Sequence, residues 1–378
     1  MKWRSDAAAA LLTVVAGGIS TATGGWAAPD TGSKDDRPQS AEVHSALRNR
    51  ESAGEGSYLP AKAVDGAEIP DIVVQADAPA GSPLPCYRIA PATYLLFGNI
   101  AHVDERNRGW NGNAGFIVTP QGVVVIDTLG TPELGRRLIA TVASVTDRPI
   151  RYVIVTHNHP DHAYGVGPFQ ELEGVTVIAH AGTRDYTHSV QMQRSVDYRR
   201  EILGQDMRGF EPLQADRHID GERFSRERIQ LGDQRLDIYN VGKHHSYGDL
   251  LVHQLDEGIL WIADLAFNQR TTYMGDGDSQ QVLEAQDWMM QQFSDVRLMV
   301  PGHGSAQTPP FAMVGKTHDY VKRMREAMRR AVDDGVSLLD ATQQVEFEDW
   351  KDTRLYESNQ RANAGFVYRE MEQEYFAQ

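Results

Sequence analysis

Thr156-His157-Asn158-His159-Pro160-Asp161-His162 sets three histidines and an aspartate within six positions, directly behind the apolar run Tyr152-Val153-Ile154-Val155. Side chains of an extended chain alternate, so His157 and His159 point to one side and can share one metal. Pro160 forces a turn, which swings Asp161 and His162 toward a different point nearby. A single tetrahedral zinc does not readily accept four ligands from so short a segment. A pair of metals does, and it needs more ligands than this loop supplies.

The rest of the chain offers them. His245 sits in Gly242-Lys243-His244-His245-Ser246-Tyr247-Gly248-Asp249, Asp264 in Trp261-Ile262-Ala263-Asp264-Leu265, and His303 in Pro301-Gly302-His303-Gly304. Each follows or ends a short apolar run and is bordered by a small residue, Gly or Pro, as where a strand hands a side chain to a loop. His157, His159 and His245 suit a first zinc. Asp161, His162 and His303 suit a second, with Asp264 bridging, because its two carboxylate oxygens can bind one metal each. Asp is also a good helix N-cap, which is the plainer reading of Asp264.

In order and spacing, the His-x-His-x-Asp-His run, the later His in a Gly-Asp-flanked turn, the Ala-Asp after a strand and the Pro-Gly-His-Gly resemble the metallo-β-lactamase superfamily of dinuclear zinc hydrolases. The resemblance covers roughly residues 86 to 310. It favours His245 over His244 as the ligand and implies an αββα sandwich. The chain is also similar to periplasmic zinc metallohydrolases associated with quinoprotein dehydrogenase systems. That similarity rests on Asn113-Ala114-Gly115-Phe116-Ile117-Val118, Val123-Val124-Val125-Ile126-Asp127-Thr128, Arg148-Pro149-Ile150-Arg151-Tyr152-Val153 and the helical tail. It implies a functional link to a quinoprotein dehydrogenase.

Net charge narrows the partners. At −15, from 37 basic and 52 acidic side chains, the chain is a poor match for nucleic acid or an anionic membrane. A basic start at Lys2 and Arg4, an apolar stretch from Ala7 to Ile19 and small residues around Ala27 and Ala28 predict an export signal over residues 1–27 and a periplasmic or secreted protein. No other segment approaches the length of a membrane span. The one cysteine, Cys86, excludes an intrachain disulfide and reads as a structural or incidental thiol.

Residues 28–84 are rich in Asp, Glu, Ser, Gly, Ala and Pro without sustained periodicity, which predicts a solvated acidic linker. A metallo-β-lactamase-like domain is expected over 85–315 and a helical extension over 316–378. Within the domain, Tyr94–Phe97, Gly115–Val118, Gly122–Ile126, Tyr152–Val155, Val175–Ala179, Leu236–Val241, Leu250–Leu255, Gly258–Ile262 and Val296–Val300 read as strands, and Thr131–Val145 as a capped helix. The block from Thr183 to Glu227 reads as a charged, partly helical insertion. Tyr320, Val321, Met324, Met328 and Val332 form the apolar stripe of a helix beginning near Lys316.

Among the remaining histidines only His180, at a strand end, is close enough in pattern to support a ligand; His244 is expected to be a supporting or surface residue. Gly109-Trp110-Asn111-Gly112-Asn113 reads first as a tight turn. The resemblance makes the same loop a cover for the metals, with Trp110 and Asn113 touching substrate, and Tyr273 with the Gly275–Asp278 loop could do the same.

The expected chemistry is hydrolysis of a small-molecule ester, lactone, thioester or lactam by a zinc-activated hydroxide, with Asp161 orienting the nucleophile. Asp264 and Phe267 stand where many β-lactamases of this fold have Cys and Lys, which argues against a dedicated β-lactamase. The alternatives are a mononuclear-iron, persulfide-dioxygenase-like enzyme and a non-catalytic binding protein for a quinone-type cofactor or partner dehydrogenase.

Overall fold

The computed structural model describes residues 79–377. The predicted signal and most of the predicted linker lie outside them.

Two sheets carry the fold. The first has seven strands in sequence order: β1 (Tyr87–Arg88), β2 (Thr93–Leu96), β3 (Ala114–Thr119), β4 (Gly122–Ile126), β5 (Ile150–Val155), β6 (Thr176–His180) and β7 (Arg217–Ile219). Pairing is antiparallel through β4 and parallel from β4 to β7. The second sheet contains β8 (Arg226–Leu231), β9 (Gln234–Gly242), β10 (Asp249–Gln254), β11 (Ile259–Ala263) and β12 (Leu298–Pro301), in the order β12-β11-β10-β9-β8. All its pairs are antiparallel except β11 with β12.

Side-chain alternation builds the layers. Ile117, Val124 and Ile126 of the first sheet, which share one face, join a buried cluster with Ile238, Leu250, Val252 and Trp261 of the second. The alternate residues Leu251, Leu260 and Ile262 face away, onto Ala285, Met289 and Val314 of helices. The sheets approach so closely at Gly115 that a Cβ there would stand 2.3 Å from the Trp261 ring. This is the αββα arrangement expected from the resemblance.

Helix α1 (Pro132–Val145) begins as its sequence dictates: the Thr131 hydroxyl accepts a hydrogen bond from the Leu134 amide, Pro132 occupies the first turn, and Leu134, Leu138 and Val142 are buried. Residues 81–84 dock on it, Gly81 N donating to Glu133 and Leu84 N to Thr141. Gly81 and Leu84, within the stretch expected to be linker, are thus held by hydrogen bonds to this helix.

The block from 183 to 227 differs most from expectation. Its first half is helical, at Thr183–Thr187 and α2 (Val190–Leu203), but its second half supplies β7 and the start of the edge strand β8. Only Ile229 and Leu231 of β8 are buried, while Arg226 and Arg228 reach across to Asp237 of β9. So polar a strand carries little hydrophobic signal.

Helices α3 (Ser279–Gln292) and α4 (Ala312–Asp333) follow, the latter starting four residues before the expected Lys316. Then come α5 (Leu338–Gln344) and the final α6 (Tyr356–Phe376). These last helices have an apolar cluster of their own, including Tyr320, Met324, Trp350 and Val367. Among the described residues, no helix is long and apolar enough to cross a membrane.

Candidate metal centre

All seven expected ligands come from loops at strand ends. β5 stops at Val155, the chain bends at Asn158 and His159, and Pro160 then opens a single helical turn, Pro160–Ala163, that carries Asp161 and His162. His245 lies between β9 and β10, Asp264 directly after β11, and His303 two residues after β12. Because β11 and β12 are parallel, Asp264 and His303 leave the sheet at the same edge. No helix begins at Asp264, so the N-cap alternative is excluded; the next helix, α3, is capped by Asp278. Gly302 makes the close approach possible, since a Cβ there would lie 2.0 Å from Asp264 Oδ1.

The side chains gather into two buried donor groups, His157, His159, His245 and Asp264 in one and Asp161, His162 and His303 in the other, each with donor atoms within 4.8 Å of one another. Asp264 stands between them. Its Oδ2 is 3.0 Å from His245 Nε2, 3.6 Å from His157 Nε2 and 3.3 Å from His303 Nε2, and its Oδ1 is 3.5 Å from His162 Nε2. His303 Nε2 is also 3.3 Å from Asp161 Oδ2. Asp264 Oδ1, His157 Nε2 and His245 Nε2 are buried without a hydrogen-bond partner. Buried polar atoms without partners are costly, and imidazole and carboxylate donors converging on one point are what a divalent metal satisfies.

A ring of further residues fixes which nitrogen each histidine turns inward. Asp127, at the end of β4, accepts from the Thr156 amide (2.8 Å) and hydroxyl (3.0 Å) and pairs with His162 Nδ1 (2.8 Å). The Thr156 hydroxyl lies 3.1 Å from His157 Nδ1, so one carboxylate orients a histidine of each group. His159 Nε2 is held by Asp276 at 3.1 Å, leaving Nδ1 to face the centre. His303 Nδ1 is 2.7 Å from the Asn111 carbonyl, and Asn111 Nδ2 donates to Asp161 Oδ2 at 2.9 Å. Asp249 Oδ2 accepts the main-chain N–H groups of His244, His245 and Ser246, which shapes the turn that presents His245.

Electrostatics follow from this crowding. Burial opposes ionisation of Asp161 and Asp264, yet His162 and His303 outweigh it for Asp161, and His303, His162 and His157 do so for Asp264; both carboxyls stay well below their ordinary range. Burial likewise opposes charge on His162, but Asp264, Asp127 and Asp161 push it up to about 9. Negative charge that attracts a proton so strongly attracts a divalent cation for the same reason. His157, His245 and His303 are shifted down, by burial first and then by His162, His159 and Arg270 respectively, which favours neutral rings with a lone pair to donate.

The substrate side of the site departs from expectation. Trp110 is 1 % exposed and belongs to the hydrophobic core. Asn113 is buried as well: it accepts from Gly98 N and donates to the Pro301 and Gly304 carbonyls, so its amide ties two loops together. The residue of that loop that reaches the ligands is Asn111. Tyr273 is half-buried with its ring 6.3 Å from that of His159, and burial and then Asp276 push its hydroxyl up to about 12. His180 bonds Asn240 and Gly182 and touches no ligand; His244 is buried against Asp249 and does not lie at the surface.

Sequence reasoning missed Asp127, Asn111, Asp249 and Arg270 as members of the site. Asp127 had a usable signal, for it ends an apolar run as Asp264 does. Arg270 had none; its guanidinium lies against His303, Nη1 being 2.6 Å from Nδ1 and 3.2 Å from Nε2.

Residues 107–303 match the metallo-beta-lactamase superfamily model. The chain belongs to that superfamily. It is therefore an enzyme of a hydrolase family. Among curated proteins it is similar to a linear primary-alkylsulfatase of Pseudomonas sp. (strain ATCC 19151), 36% identical over 59 residues, which are 16% of this chain and 11% of that one. Its fold resembles that of the stereoselective inverting sec-alkylsulfatase Pisa1 from Pseudomonas sp., with a TM-score of 0.59 and 17% identity over 75% of this chain. A double mutant of that sulfatase superposes with a TM-score of 0.61 at 17% identity, also over 75% of this chain. The chain spans 50% of the length of these sulfatase structures.

Proposed function

We propose that the protein is a dinuclear zinc hydrolase of small-molecule esters, lactones, thioesters or lactams. The observation that carries this reading is Asp264, buried between two donor groups with an oxygen turned toward each. His157, His159 and His245 would hold one zinc and Asp161, His162 and His303 the other, with Asp264 shared. Zinc bound there would lower the pKa of a coordinated water toward ~7 and polarise the electrophile.

The chain's own groups do the positioning. Asp127 and Thr156 hold the inward nitrogens of His162 and His157, Asp276 does so for His159, and Asn111 keeps Asp161 and His303 in place. Asp161, ionised and held by the Asn111 amide, is placed to orient the nucleophile. No serine or cysteine nucleophile is required by this arrangement.

Both donor groups are complete, which favours two metals over the single iron of a persulfide-dioxygenase-like enzyme. Sulfate esters join the candidate substrates because of the likeness to the alkylsulfatase. Purified chain reconstituted with zinc, assayed against esters, lactones, thioesters, lactams and alkyl sulfates, is expected to hydrolyse at least one class, to lose that activity to a chelator and to regain it with zinc. One iron per chain with oxygen consumption would establish the oxygenase reading instead.

A further inference from the structure

Arg270 stands at the edge of the donor groups without an anionic partner; its guanidinium lies 5.9 Å from the centre of the Phe267 ring. Among the described residues no carboxylate lies within ion-pair distance of it, and its Nε is buried without a hydrogen-bond acceptor. With His303 Nδ1–H given to the Asn111 carbonyl, that nitrogen has no lone pair for Arg270, so the ring contact does not satisfy the guanidinium.

The chain goes to some length to hold this arginine. Arg354, just before α6, pairs with the main chain on both sides of Arg270: Thr271 N donates to Arg354 O (2.8 Å) and Arg354 N to Gln269 O (3.3 Å). One turn into α6, the Asn359 amide donates to the Thr271 carbonyl at 3.0 Å. Asn363 then brackets Tyr273, its Nδ2 donating to Thr272 O at 2.8 Å and its Oδ1 accepting from Met274 N at 3.0 Å. Both asparagines are buried. They continue, from side chains, the main-chain pairing that Arg354 begins, and without them the carbonyls of Thr271 and Thr272 and the N–H of Met274 would lose these partners.

We propose that the C-terminal helical extension is part of the active site: Asn359 and Asn363 are positioning residues that hold Arg270 beside the metal centre, where its guanidinium binds an oxyanion group, carboxylate or sulfate, on the substrate. This rests on the hydrolase reading only for the place of the scissile bond. The geometry suits the task, since a guanidinium offers a planar fork to a carboxylate or sulfate, and a partly desolvated one gains more from a charged acceptor than an exposed one does.

The test is calorimetric titration of inorganic sulfate, and separately of benzoate, into the zinc-reconstituted full chain, with zinc per chain measured in parallel. Arg270→Gln is expected to weaken the better-bound anion about tenfold or more, as loss of a charge-assisted contact implies, with zinc content unchanged. Arg270→Lys should recover part of the affinity. Asn359→Ala with Asn363→Ala should weaken the same anion without loss of zinc, and Asn359→Ser carries this arm if the double variant does not fold. Whichever anion depends on Arg270 identifies the group recognised. Equal affinity for both anions in wild type and Arg270→Gln overturns the anion site, and asparagine variants that bind like wild type overturn the positioning role. Because the titration reads binding, an Arg270-dependent anion site in a chain that hydrolyses nothing would refute the hydrolase reading and leave this one standing.

Discussion

Asp127 is the residue on which most of the donor geometry converges, for it fixes His162 directly and His157 through Thr156. Asp127→Ala should weaken both metals by ~10–100-fold, the usual cost of losing a group that orients a metal-bound histidine. Asp276→Ala, which releases only His159, should weaken one metal and spare the other. Zinc titration against a chelator of known affinity checks both, and an Asp127→Ala variant with wild-type affinity at both sites would remove it from the scheme. The ligands themselves were legible because each follows an apolar run, so local sequence announces both strand and loop. Asn111 and Arg270 were not. Asn111 works as much through its main-chain carbonyl as through its amide, and Arg270 is brought to the site by contacts with residues some ninety positions away, which no local pattern can encode.

At the scale of elements, nine strands and α1 could be read from periodicity and capping because those segments bury a regular stripe. β8 escaped because it is an edge strand whose outward side chains are charged. Its pairing with β9 depends on Arg226 and Arg228 at Asp237, and this makes a pH prediction. Burial opposes ionisation of Asp237, but the bond from Arg228 and the charges of both arginines outweigh it and lower its pKa on folding. A depressed carboxyl stabilises the fold fully above its unfolded value of about 3.9 and loses that contribution as pH falls through the lower folded value. Asp237→Asn should therefore cost about 1 kcal/mol at neutral pH, discounted for the exposed arginines. The gap between variant and wild type should close as denaturation is followed from pH 5 downward. A gap independent of pH would show that the ion pair is not its source.

For the whole molecule, the hydrogen bonds of Asn359 and Asn363 tie the helical extension to the segment that carries Arg270, beside the donor groups. The extension's existence was legible from the stripe on α4, but its purpose was not, since Asn359 and Asn363 look like ordinary helix-surface polar residues until their partners are seen. Tyr320 of α4 links the two parts: its hydroxyl donates to Gln360 at 2.7 Å and accepts from Asn363 at 3.0 Å. Tyr320→Phe strands those buried amides and should destabilise by ~1–3 kcal/mol, seen as a thermal midpoint lower by several degrees; an unchanged midpoint would mean the link contributes nothing. The claim on which all else depends is that Asp264 joins two metals in one centre. Zinc per chain, measured on wild type and Asp264→Ala after reconstitution and desalting, tests it most directly. Two zincs in wild type, one or fewer in Asp264→Ala, and recovery toward two in Asp264→Cys, whose thiolate holds zinc at ~2.3 Å, are the expected results. Two zincs retained by Asp264→Ala, or none bound by wild type, would contradict it.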